Sequence, residues 1–174
     1  AKGIHSFVYR DDIRVNLNRK IEDAIQNAGV WVDDAEDVCD IISTQIRNIC
    51  LTYLDAIEEH MISAHFEVIV VLTVDYSCID EESSYWDNEE GEYLFLATDE
   101  LRIVKELQLD FCITFSVDDS DEGQIRSVND IEGVAFEEDT RYGITIKPED
   151  DDQIEVLHSS LDETADDFHV PIPS

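Results

Sequence analysis

The sequence is poor in positive charge, in turn-forming residues and in long apolar runs. Its 174 residues include 11 Lys and Arg, 6 Gly, 3 Pro and four cysteines without a CxxC pair. No apolar run approaches the roughly 20 residues of a membrane-spanning helix, and residues 1–8 lack the apolar core of a signal peptide. These absences argue against a helical membrane span and a disulfide scaffold, and predict reduced cysteines and a cytoplasmic protein.

The scarcity of cations leaves a very large negative charge. The chain has 43 Asp and Glu and a formal net charge of -32, yet 43% of its residues are hydrophobic, so we expect it to fold. Self-repulsion of this size destabilises a compact state, which predicts that the charge serves a function. Adaptation to high salt is a weaker explanation because bulky Ile, with 20 residues, outnumbers Ala, with 9.

Alternating apolar and polar residues predict a half-buried β-sheet in the middle of the chain. The odd positions from Leu101 to Val117 are mostly apolar and the even positions mostly polar, and residues 66–76 repeat the pattern. A period of two places one face of a strand against the core and the other in water. Further strands are predicted at residues 93–97, 125–136, 141–147 and 154–158.

Two amphipathic helices are predicted before these strands. The first runs from Asp11 or Asp12 to Ala28, with Gly29 as the residue after its C-terminus. The second runs from Asp33 or Asp34 to about Ile62, on a broad apolar stripe at helical spacing. The predicted fold class is therefore α+β, two N-terminal amphipathic helices packed on an antiparallel β-meander. We expect one domain, residues 1–160 (helices within about 11–62, strands within about 64–158), and an acidic C-terminal tail, residues 161–174.

The sequence contains few patterns that are typical of catalytic or metal-binding sites. It has no Gly-rich phosphate loop, nucleophile elbow, HExxH motif or paired Cys/His spacing, and its five histidines are scattered. Asp118, Ser120 and Glu122 resemble the start of an EF-hand calcium loop, but Asn129 stands where the bidentate Glu belongs. We therefore predict a protein that is not an enzyme and has no catalytic residues, metal or cofactor.

Clusters of acidic residues are the candidate functional feature. Six clusters fall within about ninety residues with few Lys or Arg between them, more than solubility requires. We predict that two stretches, residues 80–92 and 118–139, contact a partner, with two aromatic residues as anchors. The predicted partner-binding residues are Asp80, Glu81, Glu82, Tyr85, Trp86, Asp87, Glu89, Glu90, Glu92, Asp118, Asp119, Asp121, Glu122, Glu137, Glu138 and Asp139.

The amount of charge matches a short piece of nucleic acid. Duplex DNA carries one negative charge per roughly 1.7 Å of axis, so 32 charges correspond to about 54 Å, or on the order of 16 base pairs. A folded protein with carboxylates at such spacing can fill a DNA-binding groove and use its Lys and Arg contacts. The sequence thus predicts a DNA mimic that binds a basic nucleic-acid-binding protein, without binding nucleic acid or membranes itself.

Two short stretches resemble known families. Residues 9–14 (YRDDIR) and 21–25 (IEDAI) resemble the opening helix of phage antirestriction DNA mimics of the overcoming-classical-restriction type. That resemblance, over some 20 residues, implies a phage protein that occupies the DNA site of a host defence enzyme, either a restriction or a CRISPR nuclease. Residues 74–76 and 89–93 are similar to the acidic β-rich tail of some PIN-type nuclease proteins, which implies a fragment or an accessory domain.

Two other functions stay open at this point. One is an antitoxin or immunity-type protein whose charge matches a basic toxin. The other is an acidic accessory domain of a larger assembly, which a defined oligomer, including a homodimer, would favour. Competition with DNA separates the first alternative from a DNA mimic because a toxin need not bind DNA.

Overall fold

The structure is a computed structural model that describes residues 11–36, 39–119, 125–141 and 143–163. Within these ranges the chain forms one helix and eight strands. The elements in chain order are α1 (Asp11–Ala28), β1 (Val30–Val32), β2 (Asp40–Glu58), β3 (Met61–Ile79), β4 (Tyr85–Asp87), β5 (Glu92–Asp119), β6 (Ile125–Phe136), β7 (Ile144–Ile146) and β8 (Gln153–Glu163).

The first predicted helix is confirmed as α1. Leu17, Ile21 and Ile25 follow one another at intervals of four residues and are fully buried, as expected for the apolar stripe of an amphipathic helix. Gly29 ends the helix with a φ of 73°, and its N–H donates to the Ile25 carbonyl oxygen at 3.0 Å. Glycine suits this position because it adopts a left-handed conformation without steric cost.

The prediction of a second helix is wrong, because residues 40–58 form the long strand β2. The predicted α+β fold class with two N-terminal helices is therefore wrong as well. The described chain is mostly β, with a single helix at its start. Four β-bulges interrupt the pairing of β2 with β3, between Ile41 and Ser43 and then at every fifth residue. Each bulge inserts one extra residue and moves the following side chains to the other face. Residues that face the core therefore recur at intervals of three and two, and this spacing imitated a helical stripe.

Strand β5 is the centre of the main antiparallel sheet. One edge of β5 pairs with β3 along residues 98–116 and with the short β4 along residues 92–95. The opposite edge pairs with β8 along residues 95–104 and with β6 along residues 111–119. Strand β2 lies outside β3. The predicted strands at 93–97 and 101–117 are thus one strand of 28 residues, and the predicted strand at 154–158 is longer in both directions.

One face of this sheet forms the core. Phe66, Phe111 and Phe115 are among its largest buried side chains, and α1 packs on this face against β2 and β6. The small parallel pair of β1 and β7 adds buried Val32 and Ile146 to the same core. We call this side the inner face. The outer face of β3 and β5 carries mostly polar or half-buried residues.

Candidate acidic interaction surface

The densest predicted cluster forms an ordered hairpin at one end of the sheet. We call residues 80–92 the acidic hairpin; they connect β3 to β5 and include β4. Asp80 Oδ1 accepts the backbone N–H of Glu82 at 3.2 Å, and Asp87 Oδ1 accepts that of Glu89 at 2.9 Å. The hydroxyl of Ser84 donates to the Asp80 carbonyl oxygen at 2.7 Å. Side chains of short polar residues thus fix both turns.

The acidic hairpin presents negative charge without internal compensation. It holds seven carboxylates in 13 residues and contains no Lys or Arg. Five of them are exposed glutamates that make no ion pair with any described residue: Glu81, Glu82, Glu89, Glu90 and Glu92. Their charges are thus available to a cationic partner.

Aromatic side chains lie between these carboxylates. Tyr85 and Trp86 are 57% and 47% exposed, and Trp86 meets the ring of Tyr93 edge to face with centroids 4.8 Å apart. Exposed Tyr and Trp within a charged rim are typical of the residues that dominate binding energy at interfaces.

The second predicted cluster lies at the other end of β5. Asp118 is exposed and the strand ends at Asp119, whereas Asp121 and Glu122 lie outside the described residues. Glu92 and Asp118 are 26 residues apart on the same strand, which corresponds to roughly 86 Å of extended chain. The structure therefore does not bring the two predicted clusters together.

The third cluster lies between these ends, directly after β6. The backbone N–H of Glu137 donates to the Asp110 carbonyl oxygen at 3.0 Å. Glu138 and Asp139 line a cavity of about 200 Å³, which opens where neither β6 nor β8 pairs with β5. Leu107 and Phe136 provide part of its apolar wall. Hydrogen bonds from Arg141 lower the pKa of Asp139 below its ordinary value, so this carboxylate is already paired.

A histidine on the outer face is held between two of the acidic residues. His65 Nδ1 contacts Glu137 Oε1, and its Nε2 lies 3.2 Å from Asp55 Oδ2. Its ring stacks on Tyr53 at 3.9 Å. Cys112 lies opposite His65 in the neighbouring strand, but both imidazole nitrogens already have carboxylate partners. This arrangement therefore ties β2, β3 and the end of β6 together and does not form a nucleophile–base pair.

Two ion pairs neutralise cations near the sheet. Arg102 donates from Nε and from one terminal nitrogen to both oxygens of Asp75, at 2.7 and 2.9 Å. Lys105 lies on the inner face opposite Leu72, and its Nζ donates to Asp152 Oδ2 at 2.7 Å. The hydrogen bond from Lys105, together with one from the backbone N–H of Glu149, lowers the pKa of Asp152. These cations are thus already paired with acidic neighbours inside the fold.

Sequence reasoning missed an apolar surface beside the acidic hairpin. Phe95 on β5 and Val156 and Leu161 on β8 are 44%, 59% and 62% exposed. The sequence predicts an acidic tail at residues 161–174 and a strand at residues 93–97, and neither prediction includes an exposed apolar surface. The sequence signal was the group of apolar residues Ile154, Val156, Leu157 and Leu161, but the exposure of these side chains depends on whether another element covers the strand.

Metal sites and membrane-spanning helices are absent from the part of the chain that the structure describes. Those residues contain no group of three or more His, Cys, Asp or Glu side chains arranged to hold a metal ion. The helix in this part of the chain is not long and apolar enough to cross a membrane. Comparison with protein-family models, curated proteins and solved structures gives no match.

Proposed function

We propose that this protein is an acidic inhibitor that imitates DNA and occupies the nucleic-acid-binding cleft of a host defence enzyme, a restriction or CRISPR nuclease. The observation that carries this proposal is the acidic hairpin, where seven carboxylates and no Lys or Arg are held in an ordered turn structure. We further propose that the protein is encoded by a phage and acts in the host cytoplasm without a catalytic reaction.

The ordered hairpin supports this proposal on physical grounds. The fold fixes the backbone that carries these carboxylates, so this backbone loses little conformational entropy when the hairpin meets the cations of a cleft. A net charge of -32 accelerates association with a basic partner and repels nucleic acid. Tyr85 and Trp86 add exposed aromatic area within the charged surface, so the binding energy need not come from charge alone.

The spacing of the clusters narrows the proposed contact to the hairpin end. A standard interface buries about 800 Å² on each partner, which corresponds to a patch far shorter than the roughly 86 Å of strand between Glu92 and Asp118. We therefore assign the contact to residues 80–92. The carboxylates at 118–119 and 137–139 then contribute to long-range attraction.

An experiment with matched charge variants tests this assignment. Replacing four exposed hairpin glutamates by glutamine changes the net charge from -32 to -28. A control variant removes the same charge from exposed positions elsewhere. The hairpin variant carries E81Q, E82Q, E89Q and E90Q, and the control carries E58Q, E59Q, E106Q and E132Q.

Each protein is immobilised and used to capture proteins from bacterial lysate at low and high salt, with and without duplex DNA. We expect the wild type and the control to retain basic nucleic-acid-binding proteins that duplex DNA and high salt release. The hairpin variant should retain much less. Capture that persists in saturating duplex DNA contradicts DNA mimicry, and equal losses in both variants contradict the hairpin assignment.

An antitoxin or immunity-type protein is the second candidate function. The exposed aliphatic side chains near the hairpin favour it, because a DNA duplex presents charged phosphates to a cleft and no comparable aliphatic surface. In this case the captured partner would resist competition by DNA and would be a basic protein without nucleic-acid affinity.

A further inference from the structure

The inner face of the main sheet is covered unevenly. At the end formed by β2 and β6, helix α1 seats Leu17, Ile21 and Ile25 on the sheet, and all three are fully buried. At the opposite end, near β4 and β8, the described residues provide no such helix. Side chains at that end are exposed, with Val156 at 59% and Leu161 at 62%.

Cross-strand pairing shows that this surface is a continuation of the core. Ile154 lies opposite Ile103, which is fully buried, and Val156 lies opposite Leu101. Six large side chains at this end are between 39% and 62% exposed. We call them the distal apolar patch: Tyr85, Phe95, Ile154, Val156, Leu157 and Leu161.

Exposed large apolar side chains grouped at one end of a sheet mark an interaction site, and here the hydrogen-bonded pair of Ser159 and Asp99 lies among them. Of the eleven large hydrophobic side chains that are exposed in the described chain, six belong to the distal apolar patch. Leu157 lies at a β-bulge in β8, and strand β8 pairs with β5 alone among the described strands. The patch thus lies at the sheet margin, where a partner can approach it.

The negative charge around the distal apolar patch indicates what kind of partner can bind there. Residues 77–105 and 148–163, which surround the patch, contain 16 carboxylates against two cations, Arg102 and Lys105, and Lys105 is already paired with Asp152. A second copy of this chain would bring 16 more carboxylates to the same contact, and like charges placed together oppose association. The occupant must therefore be cationic around an apolar centre.

The packing of α1 indicates that the element bound by the patch is a helix. The same face of the same sheet accepts a helix whose apolar residues recur every fourth position, and an amphipathic helix is a common element that binds an apolar surface. We propose that the distal apolar patch docks a cationic amphipathic helix of the partner protein. This inference rests on the proposed function in one respect, since both require a basic partner.

A synthetic peptide tests the inference without knowledge of the partner. The probe is a fluorescently labelled Leu/Lys peptide of about 18 residues, long enough to span about five helical turns, with its leucines on one helical face. Its control is a peptide of the same composition in scrambled order. We expect the amphipathic peptide to bind at least tenfold more tightly than the scrambled one, as measured by fluorescence anisotropy.

Variants separate apolar docking from simple charge attraction. V156D/L161D adds two negative charges to the patch, and V15D/I42D adds two at exposed positions outside it. Charge attraction alone predicts equal or tighter binding by both. Docking on the patch predicts at least a tenfold loss for V156D/L161D and no loss for V15D/I42D. Equal binding of the two peptides, or unchanged binding by V156D/L161D, overturns the inference.

Folding of the variants is checked independently. V156T/L161T keeps strand-forming residues without adding charge, and it should also weaken binding while its circular dichroism matches the wild type. Hydrogen exchange of the wild type with bound peptide should show new protection in residues 92–97 and 153–163. Protection confined to residues 11–28 would place the peptide elsewhere and refute the docking site.

The two proposals can fail separately. A cellular partner that V156D/L161D loses but duplex DNA does not release supports the docking site and contradicts DNA mimicry. A partner that duplex DNA releases but V156D/L161D retains supports DNA mimicry and contradicts the docking site.

Discussion

A matched pair of substitutions in β2 tests the arrangement on which every face assignment depends. Ile49 is 3% exposed on the inner face, whereas Ile42 is 50% exposed at a bulge of the same strand. A helical stripe would bury both residues, because they are seven positions apart. Replacing each by alanine makes the same chemical change in the two environments.

The expected effects differ clearly in magnitude. Loss of a buried isoleucine side chain to alanine costs about 2–5 kcal/mol, since a cavity remains. Ile42 leaves no enclosed cavity and loses only part of its burial, so Ile42→Ala should cost roughly 1 kcal/mol or less. The lower strand propensity of alanine affects both variants similarly. The difference should therefore be at least about 1 kcal/mol, roughly a factor of five in the unfolding equilibrium.

Urea unfolding measures this difference, with circular dichroism reporting the mainly β secondary structure. Salt of about 0.2 M should be present to screen the exposed charges. Unchanged dependence of the unfolding free energy on urea concentration would show that the variants unfold from comparable states. Equal destabilisation by Ile42→Ala and Ile49→Ala, or a predominantly helical spectrum, would refute the bulged strand.

Three further predictions concern the charges and one turn. Asp152→Asn should destabilise the protein at neutral pH, because the lowered pKa of Asp152 stabilises the fold. This contribution is complete above the pKa of Asp152 in the unfolded chain and is lost as pH falls through the lowered pKa of the folded protein, so the difference from the wild type should disappear there. Asp150→Asn, at an exposed neighbouring position, is the control. If the unfolding free energies of Asp152→Asn and the wild type still differed as much at low pH, this would contradict the Lys105 contact. Gly29→Ala should cost about 1–2 kcal/mol through its positive φ alone, since no atom lies near the added Cβ, while Gly133→Ala should be neutral or stabilising. Thermal unfolding should move to higher temperature with added NaCl because screening reduces the self-repulsion of a net charge of -32. A melting temperature that falls with salt would show that the self-repulsion does not limit stability.

The sequence by itself determined the features that depend on local periodicity and composition. The apolar residues of α1 at intervals of four identified this helix, and the regular alternation at residues 66–76 and 101–117 identified the middle of β3 and most of β5. The acidic hairpin was also visible, because its seven carboxylates are consecutive or nearly so. Such patterns act within one element, so no distant contact is needed to interpret them.

The tertiary structure decided what depends on pairing between distant strands. The bulges of β2 arise from its register with β3, which changed the apparent period and produced the false helix. Only the register of β5 showed that the acidic clusters at 80–92 and 118–119 lie at opposite ends of one strand, and that the exposed side chains of Ile154, Val156 and Leu161 lie opposite residues of the inner face. A side chain's exposure and its distance from another cluster are properties of the assembled sheet, and local sequence does not encode them.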